Sequence, residues 1–342
     1  MQHTNYENVT FIGTGLSKHD AYHIPERACW DLIAQQISKK FAGKKNLLIS
    51  LTWFGPQFDN DHWEHLVRLN AEGKRFDNIF FLATVDPPCL NVTELQTAKN
   101  LAGAVYVYYL GNFDSPHQFN FFSIQLGQHF KCYAEDEVLL ESVQHLYVNY
   151  NRKPKMHRVQ FVKKLIAENL LDLGVVTLGQ DSTNDLYLTL GEKQQDYVGD
   201  KVENFKLPMD YYTLHRLDLW QKTFLYINAA TEFDPINDLF CQQDTFKPML
   251  GLRPFVINGV QKTYQWLRYH GFRTFNHYWS HIDIENGPVH DTIIELIKHL
   301  KSLDSTEILA MYQDMLPDLK HNKDRFFEFA QEQKFRMEHL FE

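Results

Sequence analysis

Short apolar runs alternate with amphipathic helical stretches along most of this chain, and that alternation limits the fold more than any other feature. Residues 9–12, 46–53, 78–85 and 104–110 read as strands. The runs are nearly continuous in apolar side chains, the pattern of strands buried on both faces of a parallel sheet. Between them, residues 27–41, 63–69 and 92–101 carry apolar residues at helical spacing, with Ala28, Leu32, Ile33, Ile37 and Phe41 forming one face of the first helix. A strand over 143–150 then meets the basic, Pro-containing turn Asn151-Arg152-Lys153-Pro154, the best domain boundary in the chain.

After that turn the alternation restarts. Residues 157–171 read as a helix, 174–178, 224–229 and 254–257 as strands, and 263–270 as a helix that Gly271 caps in a left-handed conformation. The polar residues 181–206 read as a long surface loop. From Val289 onward the chain is expected to be helical, with breaks near Ser302-Leu303-Asp304 and at Pro317. The fold class is therefore α/β. It comprises a Rossmann-like domain over 1–145, a second over 146–300 and a helical tail over 301–342. Two such domains suit a site in a cleft between them.

Composition excludes several functions. The net charge is −9, which opposes non-specific binding to nucleic acid. The four cysteines form no CxxC pair, and neither a signal segment nor a membrane span is apparent, so a reducing, cytoplasmic setting is expected. A Walker P-loop and a GxSxG elbow are absent. Gly13-Thr14-Gly15 is a lone GxG and reads as a turn. His62 with His65, and His277 with His281, match no metal motif, so no metal is expected.

The candidate chemistry lies at strand ends. Arg152, Lys155 and Arg158 join a strand end to a helix start, where free N–H groups and cations suit a diphosphate; a solvated basic loop is the plain alternative. Glu232 lies past another strand end, and Thr245 and Lys247 could meet a ribose or a phosphate. Asp86, Asp114 and His117 lie beyond strand ends of the first domain, where one of them could act as general base on an acceptor hydroxyl, although a loop Asp is also ordinary turn chemistry.

The residues Asp244-Thr-Phe-Lys-Pro-Met, then Pro254-Phe-Val-Ile, then Tyr264-Gln-Trp-Leu-Arg-Tyr-His-Gly-Phe-Arg-Thr-Phe275 resemble a group of proteins encoded by phages and viruses. Asn151 to Arg158 is similar to an Asn-Arg-x-x-Arg-x-His-Arg element of the same group. The resemblance spans roughly residues 145–280. Its Glu-Lys-Thr-Phe segment is in turn similar to the donor motif of fucosyltransferase-like enzymes of the two-domain GT-B type. The resemblance implies two facing Rossmann-like domains and a glycosyltransferase that needs no obligatory metal or other cofactor. The second domain would hold a nucleotide-sugar donor, and the first would supply the acceptor site and the base. The acceptor would be a hydroxyl, on a glycan or on a hydroxymethylated base in phage DNA, with Trp53 available to stack on a base. Carried over by position, Arg152 and Arg158 become phosphate ligands, with Lys247 beside them. The motif Glu-Lys is Gln243-Asp244 here. Gln243 retains a hydrogen-bonding group for a ribose, but Asp244 replaces a cation with an anion. That departure keeps a second reading open, a non-catalytic nucleotide- or sugar-binding protein on the same fold.

Overall fold

The computed structural model describes residues 8–13, 24–51, 60–83, 92–109, 123–124, 127, 137–151, 154–179, 214, 217–230, 233, 241 and 243–340. The chain forms two compact units, residues 1–125 with 331–342, and residues 126–330. The second unit thus takes in about twenty residues ahead of position 146.

In the first unit the strands are β1 (Val9–Gly13), β2 (Asn46–Leu51), β3 (Phe76–Ala83) and β4 (Ala102–Tyr109). Helices α1 (Ile24–Lys40), α2 (Asn60–Ala71) and α3 (Val92–Leu101) fall between them. The sheet is parallel throughout, in the order β1-β2-β3-β4. Successive side chains leave opposite faces of a strand, so one continuous apolar run supplies two cores. Leu48 and Phe80 pack with Ile33, Ala34 and Ile37 of α1, and Met337 and Leu340 from the end of the chain join this core. Leu47, Ile49, Ile79 and Phe81 face the other way, against Leu66 and Leu69 of α2 and Ala98 and Leu101 of α3. At the amino ends of the strands, the Asn46 side chain donates to Asn8 O and Phe41 O, and Asn78 donates to Asn46 Oδ1 at 2.8 Å.

The second unit holds β5 (His145–Asn151), α4 (Met156–Ala167), β6 (Gly174–Leu178), α5 (Leu217–Trp220) and β7 (Thr223–Ala229). Then follow α6 (Gln243–Leu250), β8 (Phe255–Asn258), α7 (Lys262–Tyr269), α8 (Val289–Lys301) and α9 (Ser305–Glu338), whose last turns belong to the first unit. The strands are again parallel, in the order β6-β5-β7-β8. The chain leaves β5 in one direction to build β6, then returns past β5 to build β7 and β8. The order therefore reverses between β5 and β7, and in open α/β sheets ligands bind outside the carboxyl ends of the strands at such a reversal.

Helices α4 and α8 cover one face of this sheet: Val159 and Val162 pack on Leu178, and α8 lies along β5 and β8. Two ion pairs join these helices, Lys164–Asp291 and Lys298–Glu168. On the other face Thr245 of α6 reaches Asn228 of β7, and Phe246 packs against Phe326 of α9 at 5.3 Å. Helix α4 was expected to run to residue 171. It stops at Ala167 because Asn169 takes a left-handed conformation with φ of 55°, and a short 3-10 turn, Leu171–Leu173, leads into β6.

Gly271 has φ of 82°, as the cap after α7 requires. The segment Gln243–Leu250 is helical, with Pro248 inside it. The break near residues 302–304 separates α8 from α9, whereas Pro317 lies within α9. Tertiary burial outweighs the roughly 3 kcal/mol that an interior proline costs. Tyr312 and Met315 before Pro317, and Leu319, Phe326 and Phe329 after it, are all buried. Beside the proline, the Tyr278 hydroxyl donates to Asp314 O at 3.0 Å.

Candidate functional site at the strand reversal

The carboxyl end of β5 leads through Pro154 and Lys155 into α4. Lys155 is the N-cap residue, in an extended conformation (φ −60°, ψ 148°), and its own side chain makes no cap hydrogen bond. The first intrahelical bond runs from Val159 N–H to Lys155 O at 3.0 Å. The N–H groups of residues 156–158 therefore point past the end of the helix, as the first N–H groups of any helix do. The first turn holds no acidic residue of its own to offset the positive end of the helix dipole.

Two side chains of that turn reach across to β7. Arg158 is buried, and its Nη2 donates to Ala229 O at 2.7 Å and to Ala230 O at 3.0 Å, with Nε at 3.3 Å from Ala230 O. His157 Nε2 lies 3.0 Å from the same Ala230 carbonyl. A carbonyl only accepts, so Nε2 carries the proton. Burial, and next to it the Arg158 and Lys155 cations, push the His157 pKa down to about 4, against the upward pull of the bond to Ala230. The ring is therefore neutral at pH 7. Phe233 stacks on it at 4.9 Å and also meets the ring of His290, in the first turn of α8, at 5.0 Å.

A set of buried asparagines lines the strand ends. Asn149 donates to Ile227 O, and Asn151 donates to Thr177 O, both at 2.9 Å. Asn258, the last residue of β8, is fully buried. Side chains paired in a parallel register share a face. Asn151 pairs with Leu178, which packs under α4, and Asn258 pairs with Ala229. Counting on from the pair Val148–Tyr226 sets Asn151 opposite Ala229. Asn151, Ala229 and Asn258 thus form one row on the face that α4 and α8 cover.

On the opposite face Thr245 accepts from Asn228 Nδ2 at 3.2 Å. Lys247 is buried, and its ammonium lies 3.0 Å from the Asp244 carboxylate. Asp244 therefore does not stand as an uncompensated anion at the start of α6; it holds the lysine one turn on. Gln243 is the first residue of that helix.

The sequence-derived candidates thus divide. Lys155 and Arg158 come together at the reversal, and Thr245 and Lys247 lie on α6. Arg152, Glu232, Asp86, Asp114, His117 and Trp53 lie outside the described residues. The roles of His290, Phe233 and Asn258 were not read from the sequence. A usable signal was present for Asn258, because an amide that closes an apolar parallel strand is an unusual residue to bury. His290 carries no local signal, since its partners Phe161 and Phe233 are distant in sequence.

No family model matches the chain, and no curated protein matches it. Among solved structures, a crystal structure of alpha1,3-fucosyltransferase aligns with 84% of this chain and 90% of its own, with a TM-score of 0.38 and 13% identity. At that level of superposition no residue role or activity is carried across. Among the described residues no helix is long and apolar enough to cross a membrane, and no group of three or more His, Cys, Asp or Glu side chains is placed to hold a metal ion.

Proposed function

We propose that the chain is a glycosyltransferase that moves a sugar from a nucleotide-sugar donor to a hydroxyl acceptor, with the donor diphosphate at the start of α4. The observation that carries this reading is the N-terminus of α4 at the strand reversal, where the N-cap Lys155 makes no side-chain cap bond, the first turn holds no acidic residue and Arg158 lies behind. Free N–H groups and a positive dipole end favour a phosphate, and the same groups stabilise the charge that develops on a departing diphosphate. Arg158 contributes from behind as a buried cation that also braces the end of β7. Lys155 and the N–H groups of residues 156–158 face the anion. The resemblance of residues 145–280 to a group whose Glu-Lys-Thr-Phe segment is similar to a donor motif supports the same ligand, with that motif altered to Gln243-Asp244 here. The net charge of −9 favours a glycan over DNA as the acceptor.

The test is calorimetric titration with UDP, GDP and CMP, followed by assay of nucleotide release from their sugar conjugates. One of these nucleotides should bind, and Lys155→Glu should weaken it several-fold by setting a carboxylate at the positive helix end. Absence of binding by every nucleotide would remove the reading. The Asp244–Lys247 pair favours the second reading, a binding protein without turnover, because it occupies the cation that stands nearest the altered motif. Binding with no release of nucleotide from any conjugate would select that reading.

A further inference from the structure

Six buried side-chain polar atoms lack a hydrogen-bond partner among the described residues, and four of them belong to Asn151, Asn258 and His290. These three residues gather at one place. Asn151 and Asn258 end β5 and β8 on the face that α4 and α8 cover. His290 is in the first turn of α8, and Gln261, three residues past Asn258, donates to Gly287 O just before that helix at 2.5 Å. The start of α8 is thus held beside the end of β8. Asn258 is the extreme case: fully buried, with neither its Oδ1 nor its Nδ2 engaged. Buried polar groups left without a partner are few in native proteins, and each calls for a physical reason such as a bound group.

We propose that Asn258 and His290 bind hydroxyl groups of the donor's sugar, and so determine which sugar the site accepts. This rests on the donor-binding reading above. A carboxamide presents an acceptor beside a donor, and two neighbouring sugar hydroxyls present the complement. Burial, with the Lys164 cation as a lesser cause, lowers the His290 pKa. A neutral imidazole can donate or accept at Nε2, as a hydroxyl requires. Position favours the sugar over the base. Asn258 is paired with Ala229, whose carbonyl Arg158 holds, so it lies one strand spacing, about 4.8 Å, from the strand end that Arg158 braces. A sugar bonded to the terminal phosphate is the part of the donor nearest the anion, whereas the base is separated by the second phosphate and the ribose. Phe233 is half-buried between the rings of His157 and His290.

The experiment compares UDP and GDP with UDP-glucose, UDP-N-acetylglucosamine, GDP-mannose and GDP-fucose by calorimetry, on the natural chain and on Asn258→Leu and His290→Phe. Leu is close to Asn in shape and removes only the polar atoms. The expected result is unchanged affinity for the plain nucleotide and a loss of about tenfold in the added affinity that the sugar confers. Retention of that increment in both variants overturns the proposal, as does an equal loss for nucleotide and conjugate. If Asn258→Leu does not fold, His290→Phe decides alone. If the natural chain binds a nucleotide but gains nothing from any sugar, the proposal fails and the nucleotide site stands. If it binds no nucleotide, the donor reading fails and takes this proposal with it.

Discussion

Arg253 should be the most costly single residue to remove from the second unit. Its side chain is 1% exposed and sits where β8 begins. Among the described residues it has no carboxylate partner; it donates to main-chain carbonyls and, at 3.3 Å, to the Tyr312 hydroxyl. The guanidinium donates to Thr223 O at 2.7 Å, to Val138 O, Gly251 O and Leu252 O at 2.9 Å each, and through Nε to Trp220 O at 2.9 Å. It also lies over the Tyr312 ring, 5.4 Å from its centroid. Burial lowers its pKa to about 10, with Tyr312 pulling the other way, so it is charged at pH 7. One group thereby ties the segment before β5, the turn before β7, the lead into β8 and helix α9. In Arg253→Met, each of the five carbonyls loses a partner, at a lower bound of about 1 kcal/mol each. Relief of the guanidinium's desolvation and the apolar burial of Met return part of that sum. The expected loss is roughly 3 kcal/mol, or about 6–12 °C in Tm for a unit of this size. Arg253→Lys should recover little, since an ammonium has three donors and no planar fork. Urea unfolding monitored by far-UV circular dichroism reads both variants. A change under about 0.5 kcal/mol in Arg253→Met would refute the reasoning.

Acid should begin to destabilise the fold as pH falls below about 6.5. His157 binds a proton near pH 6.5 when unfolded and near pH 4 when folded. The unfolded state therefore holds more protons between those values, and stability falls as pH drops from about 6.5 towards 4, by up to roughly 3 kcal/mol. His157→Gln should flatten that slope in a pH series of urea midpoints; an unchanged slope contradicts the assignment. Gly174→Ala should destabilise by about 1–3 kcal/mol. Its new Cβ would lie 2.5 Å from the Tyr147 ring, whose hydroxyl donates to Leu170 O. A Tm within a degree of the natural chain would show that the ring shifts freely.

The fold was legible because parallel strands and amphipathic helices write different periods. The runs at 46–51 and 174–178 coincide with β2 and β6, while residues 52–53 of the first reading lie outside the described residues. Gly271 marked the end of α7 because a left-handed cap admits glycine most readily. Pro317 misled, since its local cost is visible in sequence and the buried face that outweighs it is not. The basic turn identified Lys155 and Arg158, but not that Arg158 holds the carbonyls of Ala229 and Ala230. That role depends on β5 and β7 being neighbours, which no local pattern encodes. For the same reason the gathering of His157, Phe233, His290 and Asn258 could not be read from their spacing.

The central claim is that an anion binds the first N–H groups of α4. Amide chemical shifts during titration with UDP, GDP and CMP test it most directly. The account predicts that, for the nucleotide that binds, the largest shifts fall on Met156, His157 and Arg158, and that Lys155→Glu reduces them. Saturable binding that leaves those three amides unmoved would contradict it.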